Sequence, residues 1–250
     1  MQSESRLIDL VFPGETNHHG TLFGGSALSY MDKLAYIIAT RHAHCDFVTA
    51  SCEKIDFAAP ARLSQIVEVT GRILRAGRRS LNVEIDLMAE DVLTGERHLC
   101  SRGGFNMVTA DPAQTVPPLP SASPPTSADG AVHMIELVFP DQSSHRQVLF
   151  GGYALAIMGK AAFVAATRLC RKTVVMAASS RMNFTAPIHV GEIMELTAAV
   201  STVGRSSMTV SVTAWGENLQ SGERWPAANG SFVMVAVDHE GKAVHIGHRR

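Results

Sequence analysis

The sequence lacks an excess of either charge, a long apolar run and any paired cysteine motif. Its 250 residues include 22 Lys and Arg against 23 Asp and Glu, with no basic stripe of the kind that binds nucleic acids. No positively charged N-terminal region precedes a long apolar stretch, and the longest apolar stretches are broken by polar residues within a few positions. We therefore expect a cytoplasmic protein with no nucleic-acid partner, no signal peptide and no membrane-spanning segment.

Metal, disulfide and nucleotide motifs are missing as well. The four cysteines have no CxxC spacing, which favours reduced, mostly buried thiols over a disulfide or zinc framework. The 11 histidines show no HExxH or other metal spacing. The pair Gly24-Gly25 does not belong to a GxGxxG fingerprint between a strand and a helix. The sequence thus predicts neither a metal nor a bound cofactor.

What the sequence does contain is an internal repeat. The tetrapeptide LFGG at residues 22–25 returns at residues 149–152, 127 positions later. At the same offset LVFP recurs at 10–13 and 137–140, and GER at 95–97 and 222–224. The register holds across residues 7–111 without an insertion, so the chain is a duplicated domain. Hydrophobic residues make up 46% of the sequence, which is enough material for a core in each copy.

A segment rich in Pro, Ser and Ala separates the two copies at residues 112–130. It has little apolar material to bury and therefore predicts an extended, semi-rigid connector. We place the first domain at residues 1–111 and the second at residues 131–250. The two copies are called repeat 1 and repeat 2 below.

Hydrophobic periodicity predicts the order of elements in each repeat. Residues 7–12 are a short apolar strand, and residues 24–41 carry apolar side chains every three or four positions, which indicates a helix. Those apolar positions are Leu28, Met31, Ala35, Ile38 and Ala39. Because the helix is apolar on most sides, we expect it to be buried. Four strands with alternating polarity follow, near residues 47–57, 67–73, 81–87 and 97–109.

An antiparallel sheet that follows one long helix implies an α+β domain in which a curved sheet wraps around the helix. The segment that leads into the helix is the most specific motif: it reads NHHGTLFGG at residues 17–25, and Met31-Asp32 follows within the helix. This pattern resembles acyl-CoA thioesterases of the hotdog fold, in the branch with tandem domains. The sequence GRSSM at residues 204–208 matches a turn motif of that branch.

The resemblance implies two tandem hotdog domains, each a long central helix wrapped by an antiparallel β-sheet. It also implies hydrolysis of acyl-CoA to the free acid and coenzyme A. Coenzyme A would then enter only as part of the substrate, and no separate cofactor is expected.

Three features of repeat 1 suit this chemistry. The backbone N–H groups of Gly24 and Gly25 begin the helix, where the dipole is positive, and would stabilise an oxyanion formed from a thioester carbonyl. Asn17 offers an amide to the carbonyl or to a water. Asp32 stands in the middle of a helix expected to be buried, where an unpaired carboxylate is costly. In the family an acid at this position attacks the thioester or activates a water; the structural alternatives are packing for the glycines and a local hydrogen bond for Asp32.

Repeat 2 departs from the pattern at two positions. Ser144 stands where repeat 1 has Asn17, and Gly159 stands where it has Asp32, whereas the glycine pair persists at residues 151–152. An acid cannot be replaced by glycine, but an amide that only orients a carbonyl or a water can be replaced in part by a hydroxyl. The two halves are therefore predicted to be unequal.

The resemblance also implies how the halves combine. In the family the acid comes from one domain, and the amide and the helix N-terminus come from the other. Asp32 would then act with Ser144 and with the backbone of Gly151 and Gly152. The opposite combination would contain an asparagine and a helix N-terminus but no acid.

Coenzyme A carries phosphates, and the hairpin turns of both repeats carry candidates to contact them. Arg78 follows Gly77 in repeat 1, and Arg205, Ser206 and Ser207 stand in the matching turn of repeat 2. Arginine suits this role because its guanidinium group binds phosphate in a fixed geometry.

Two other functions remain open at this stage. One is a non-catalytic acyl-CoA-binding or regulatory protein with a partly degenerate site. The other is dehydration of a hydroxyacyl thioester, which would have to recruit His18. For assembly, tandem relatives form trimers, so the resemblance implies a homo-oligomer, a trimer first and a dimer as the alternative.

Overall fold

The computed structural model describes residues 5–53, 55–119 and 130–247. The chain folds into two compact units, one built mainly from each repeat. Each unit contains one long helix and one six-stranded sheet. The predicted pair of tandem α+β hotdog domains is thereby confirmed.

Repeat 1 follows the predicted order of elements. They are β1 (Arg6–Leu10), α1 (Gly24–Ala43), β2 (Phe47–Cys52), β3 (Asp56–Phe57), β4 (Ile66–Ala76), β5 (Ser80–Glu90) and β6 (Arg97–Thr109). The strands run in the order β1-β4-β5-β6-β2, with β3 also paired to β6, and every pairing is antiparallel. The strand predicted over residues 47–57 is in fact two strands, because the chain leaves β6 between β2 and β3.

Repeat 2 has the same elements at the same offset. They are β7 (Val132–Leu137), α2 (Gly151–Cys170), β8 (Val174–Ser179), β9 (Asn183–Phe184), β10 (Ile193–Val203), β11 (Ser207–Glu217) and β12 (Arg224–Ala236). Their order in the sheet is β7-β10-β11-β12-β8, with β9 on β12. Apart from the first residue of β7, every boundary lies 127 positions after its counterpart.

The central helix buries one side against its own sheet. Met31, Leu34 and Ile37 of α1 are fully buried with the inward side chains of β4 and β5. The helix was expected to be buried on most sides, and this expectation was too strong. Leu28 is 38% exposed and Asp32 is half-buried, because the sheet covers only one face of α1.

Both sheets carry a β-bulge in the last strand of the repeat, which is β6 in repeat 1 and β12 in repeat 2. In repeat 1 the pairing of β5 with β6 shifts between Leu87 and Met88, which leaves Cys100 as the extra residue beside Ser101. In repeat 2 the corresponding shift leaves Ala227 beside Ala228. A bulge turns two successive side chains towards the same side of the sheet, and all four of these residues are buried.

The predicted connector is described only in part. Residues 112–119 form neither helix nor strand and are exposed except at Val116, whose N–H donates to the carbonyl of Arg78 at 3.0 Å. The rest of the connector, at residues 120–129, lies outside the described residues. The domain boundaries at residues 111 and 131 therefore stay predictions.

One helix bears on the expectation that no segment spans a membrane. Within the part of the chain that the structure describes, α2 is long and apolar enough to cross a bilayer by length and composition alone. The sequence was expected to hold no such segment. However, 56% of the most apolar stretch of α2 is buried inside the protein, as expected for a core helix.

Candidate functional site

Each repeat has a pocket at the N-terminus of its central helix. The pocket of repeat 1 has a volume of about 350 Å³, and it lies between Gly24 and Ala27 of α1, the segment around Phe57, and the bulge residues of β6. The pocket of repeat 2 has the same volume of about 350 Å³ and is formed by Gly151, Ala154 and most of the residues that match the lining of repeat 1, although Ser144, the counterpart of Asn17, is not among them. The duplication has therefore preserved a cavity as well as a backbone.

A tight loop at the edge of the first pocket depends on the Asn17 side chain. Its oxygen accepts hydrogen bonds from the backbone N–H groups of His19 at 2.9 Å and Thr21 at 3.3 Å. Its Nδ2 donates to Thr21 Oγ1 at 2.9 Å. Gly20, with φ +71°, allows the chain to turn between them. Asn17 thus organises the loop and also lines the pocket.

The loop of repeat 2 keeps its shape with fewer side-chain bonds. Ser144 Oγ accepts one hydrogen bond, from the N–H of Arg146 at 3.3 Å. Val148 takes the place of Thr21, so the partner of the asparagine amide has also been lost. Backbone bonds hold the turn, because Ser144 donates its N–H to the carbonyl of Val148 at 2.8 Å.

The two glycines at each helix start have different reasons to be glycine. A Cβ at Gly25 would lie 2.5 Å from the Phe23 ring, and one at Gly152 would lie 3.0 Å from the Phe150 ring. Packing therefore accounts for the second glycine of each pair. At Gly151, in contrast, an added Cβ would meet no described heavy atom within 4 Å. The first glycine leaves room at the pocket, which suits the close approach of a ligand to the backbone.

The start of each helix also offers free hydrogen-bonding capacity. Phe23 and Phe150 are the N-cap residues of α1 and α2, and within the described chain neither helix has a side chain that caps it. The first N–H groups of a helix have no intrahelical partner, and the dipole makes them attractive to negative charge. The backbone at Gly24 and Gly151 is thus suited to bind a carbonyl oxygen or an oxyanion.

Asp32 forms a hydrogen-bonded pair with a residue that sequence reasoning missed. Thr49 of β2 donates from Oγ1 to Asp32 Oδ1 at 2.5 Å, and both side chains remain accessible to solvent. The carboxylate was expected to be buried, and it is half-buried instead. The bond fixes its orientation and leaves the second carboxylate oxygen for other contacts.

The matching positions in repeat 2 have changed together. Gly159 replaces Asp32, and Met176 replaces Thr49. A Cβ at Gly159 would lie 2.8 Å from Met176 Cε, so the methionine is in contact with the glycine and its flexible end would have to shift to admit a side chain. The 127 offset shows that both positions differ between the repeats, but many other positions differ as well, and only the fold shows that Thr49 and Asp32 are in contact.

Repeat 1 alone does not bring its acid to its own helix N-terminus. Asp32 follows Gly24 by about 12 Å along the helix axis, at 1.5 Å per residue. Reacting atoms must approach to about 3 Å. The acid of repeat 1 and the amides of repeat 1 therefore do not meet on one carbonyl group.

The predicted phosphate contacts also lie apart from the pockets of their own repeats. Arg78 is exposed in the turn between β4 and β5, and the pocket residue Leu87 lies about 23 Å along β5 from Ser80 at 3.3 Å per residue. In repeat 2, Arg205 is exposed and Ser206 is half-buried in the equivalent turn. Their role with coenzyme A stays a prediction.

The thiols near these features are poor nucleophiles at neutral pH. Burial raises the pKa of the Cys100 thiol to about 11. Cys52 is exposed, but partial desolvation of its thiol and, to a smaller extent, the negative charge of Asp32 raise the pKa of that thiol. Among the described residues, no cluster of three His, Cys, Asp or Glu side chains is arranged to hold a metal ion.

Comparisons with known proteins match both repeats. The family model described as the thioesterase superfamily matches residues 19–96 and again residues 146–223. The crystal structure of an acyl-CoA hydrolase from Agrobacterium tumefaciens is 50% identical, with a TM-score of 0.88 over 97% of this chain and 98% of that chain. The cytosolic acyl coenzyme A thioester hydrolase of Mus musculus is 22% identical over 94% of this chain and 74% of its own length. An uncharacterized acyl-CoA thioester hydrolase of Bacillus subtilis is 35% identical over 52% of this chain and 77% of its own length.

Proposed function

The chain belongs to the thioesterase superfamily, and on that premise we propose that it hydrolyses acyl-CoA to the free acid and coenzyme A, with Asp32 as the nucleophile or the general base. The likeness to the Agrobacterium acyl-CoA hydrolase supports the reaction class. The observation that carries the role of Asp32 is its hydrogen bond with Thr49, in one repeat only. Its counterpart in repeat 2 is a glycine packed against a methionine.

The chemistry needs a nucleophile and an oxyanion site. The Asp32 carboxylate either removes a proton from a water that attacks the thioester carbon, or attacks that carbon itself and is later released by water. The carbonyl oxygen gains the negative charge and is stabilised by N–H groups at a helix start. Collapse of the tetrahedral intermediate expels coenzyme A as thiolate, which needs no strong acid because free thiols titrate near about 8.5.

Thr49 has a positioning role in this mechanism. Its hydroxyl donates to one carboxylate oxygen of Asp32 and so directs the other oxygen to the water or to the thioester. A donor to the charged form also stabilises the carboxylate. Replacement of Thr49 should therefore affect turnover more than the affinity for acyl-CoA.

The amides that serve Asp32 must come from a helix start other than that of α1, because about 12 Å separate Asp32 from Gly24 along the helix. Gly151 and Gly152 are the candidates predicted from the sequence, with Ser144 in place of the missing amide. The room beside Gly151 supports this choice. The pairing itself stays a prediction.

The test is hydrolysis of a panel of acyl-CoAs, followed through the released thiol with a thiol-reactive dye. Asp32→Asn should lower kcat by roughly 10²- to 10⁴-fold while acyl-CoA still binds. Asn17→Ala is the comparison, and it should lower kcat much less, because the predicted site that contains Asn17 and the helix start of repeat 1 contains no acid. Equal losses in the two variants would contradict the predicted pairing.

One observation favours a second candidate function, a non-catalytic acyl-CoA-binding or regulatory protein. The change from Asp32 to Gly159 and from Thr49 to Met176 removes one of the two possible acids. If the wild-type protein binds acyl-CoAs but hydrolyses none of the panel, this candidate is correct and the proposed enzyme is not.

Assembly and coenzyme A contacts complete the proposal. Large apolar side chains are exposed at equivalent places in both repeats: Phe12 and Phe139, Phe23 and Phe150, Leu28 and Leu155. Exposed apolar surface of this kind supports a homo-oligomer. The resemblance to tandem relatives favours a trimer, with a dimer as the alternative. Light scattering that finds only the monomer mass of 26.8 kDa would refute it. Arg78, Arg205, Ser206 and Ser207 are proposed to contact the phosphates of coenzyme A.

A further inference from the structure

The pocket of repeat 1 contains a buried hydroxyl that has no partner. Ser101 is 1% exposed and lines this pocket, and its Oγ makes no hydrogen bond to any described residue. A buried hydroxyl without a partner destabilises a fold, so such groups are rare unless a ligand or water completes them. The Ser101 hydroxyl therefore has unused capacity to hydrogen-bond with a ligand or a water.

Comparison of the repeats separates this hydroxyl from the other unpartnered ones. Thr40 Oγ1 and Thr167 Oγ1 are also buried without a partner, but they occupy equivalent positions in α1 and α2. The lack of a partner at these two threonines is therefore a feature of the fold that both repeats share. Ser101 is different, because its counterpart Ala228 lines the matching pocket and has no hydroxyl. The polar group is specific to repeat 1.

The rest of the repeat 1 pocket combines a hydrogen-bond donor with apolar walls. Leu22, Phe57 and Leu87 contribute apolar surface, and the uncapped start of α1 contributes backbone N–H groups at Gly24. The volume of about 350 Å³ is at the small end of the range for ligand pockets. A short hydrocarbon chain that ends in an oxygen acceptor fits this distribution of groups.

We propose that the pocket of repeat 1 is a second acyl-binding site, in which the Ser101 hydroxyl donates a hydrogen bond to the carbonyl or carboxylate oxygen of a short acyl group. The inference rests on the proposed function, since the acyl group comes from the substrate thioester or from its free-acid product. The ligand atom is an acceptor because the helix start offers only donors. Asp32 lies about 12 Å from Gly24 along α1, so repeat 1 supplies no acid of its own to an acyl group held there.

Binding of an uncleavable substrate analogue tests the proposal. The probe is the oxopentyl thioether of coenzyme A, which keeps a carbonyl but has no thioester bond. Calorimetric titration of the full-length protein should show two binding steps per chain. Ser101→Ala should weaken one step by about fivefold to tenfold, the effect of losing one neutral hydrogen bond, and leave the other step unchanged.

Two further probes identify the group that Ser101 recognises. Pentyl-coenzyme A thioether keeps the five-carbon chain but lacks the carbonyl, and it should bind equally to wild type and Ser101→Ala. Pentanoate tests the free acid: a Ser101-dependent step with pentanoate identifies the product as a ligand, whereas dependence only with the oxopentyl probe identifies the thioester. Equal binding of all three probes to wild type and Ser101→Ala would overturn the proposal.

Cys100→Ala is the matched control. Cys100 lines the same pocket beside Ser101, and repeat 2 already carries alanine at the equivalent Ala227. This variant keeps the hydroxyl, so both binding steps should stay within twofold of wild type. A loss as large as that of Ser101→Ala would show that the pocket responds to volume and not to the hydroxyl, and the proposal would be wrong.

The melting temperature distinguishes a ligand-binding hydroxyl from a structural one. Ser101→Ala removes a buried group without a partner, so the ligand-free variant should melt no lower than wild type. A drop of several degrees would mean that a structural partner satisfies the hydroxyl, which contradicts the proposal. The proposed function and the second site can fail separately. If the protein hydrolyses no acyl-CoA but binds the probe in a step that depends on Ser101, the second site stands and the proposed function fails. If the protein hydrolyses acyl-CoA but shows a single binding step that does not depend on Ser101, only the second site is wrong.

Discussion

At the position where repeat 1 has the hydrogen-bonded side chains of Asp32 and Thr49, repeat 2 has Gly159 packed against Met176. The backbones around both positions are alike, since helix and strand boundaries recur at the same offset. The difference shows that the fold does not need the carboxylate, because repeat 2 retains the same elements without it. The Asp32 carboxylate is therefore not a requirement of the fold, which is consistent with a role in chemistry.

The same comparison separates function from packing at the helix starts. The second glycine of each pair lies against a phenylalanine ring in both repeats, whereas a Cβ at the first would meet a ring carbon of Phe57 only at 3.7 Å in repeat 1, and nothing described within 4 Å in repeat 2. Contact with the phenylalanine ring explains why Gly25 and Gly152 are glycines in both repeats. Packing does not explain Gly24 and Gly151, and the close approach of a ligand to the backbone is the better explanation there.

Transplanting the repeat 2 pair into repeat 1 should give the largest effect. The double variant Asp32→Gly, Thr49→Met should lower kcat by roughly 10²- to 10⁴-fold, because it removes the acid. Its circular dichroism spectrum and melting transition should remain close to wild type, because the same two residues pack in repeat 2. Full turnover in this folded variant would show that Asp32 has no catalytic role.

Thr49→Val should have the next largest effect. The variant keeps the shape of the side chain but removes the donor to the carboxylate, and a hydrogen bond to a charged group contributes about 1.5–3 kcal/mol. We expect kcat to fall roughly tenfold to hundredfold, with KM changed much less. Thr49→Ser, which retains the hydroxyl, is the control and should recover most of the rate; an equal loss in both variants would assign Thr49 a packing role.

Gly151→Ala should separate stability from activity. An added methyl group has free space there, and alanine in place of glycine stabilises a helix by up to about 1 kcal/mol. Urea unfolding should therefore show equal or greater stability. Steady-state kinetics should show kcat/KM lowered by roughly tenfold, because the methyl group blocks approach to the backbone amides. The matched variant Gly24→Ala should lower kcat/KM less, and the reverse order would transfer the catalytic helix start to repeat 1.

The smallest expected effect concerns alkaline pH. Burial raises the pKa of Cys100 to about 11, so the folded protein keeps this proton at pH values where the unfolded chain releases it. The stabilisation is fully present below about pH 8.5, the ordinary thiol pKa, and is lost as the pH rises towards 11. The free energy of unfolding, measured with urea at a series of pH values, should fall more steeply with pH in wild type than in Cys100→Ala across this window, since the variant has no thiol to titrate at this position. Parallel pH profiles would mean that the thiol titrates normally in the fold.

Most of the fold could be predicted because duplication and periodicity report on the backbone. The offset of 127 aligned two independent copies of each pattern, and residues 97–109 were predicted as the strand that the structure contains. The split between β2 and β3, the exposure of Leu28 and the bulge at Cys100 were not predictable. They depend on where the sheet curves away from the helix, which side-chain alternation does not encode.

The candidate site was predictable in its identity but not in its contacts. Asp32, Asn17 and the glycine pairs were recognised from a motif that leads into a helix. Thr49 and Ser101 were missed, because each lies on a strand far from that motif in sequence and reaches its site only through the fold. The bonds by which Asn17 organises its own loop were also hidden, since they depend on the turn at Gly20.

The contact between Met176 and Gly159 also bears on the construction of a second acid in the chain. Aspartate at Gly159 would bring its Cβ to 2.8 Å from Met176 Cε, which is the end of a flexible side chain that is 48% exposed and can move aside. The new carboxylate would still lack the threonine hydroxyl that orients Asp32. Threonine at Met176 alone would supply the hydroxyl without an acid to orient. A supported carboxylate in repeat 2 therefore takes two substitutions, Gly159→Asp and Met176→Thr, made together.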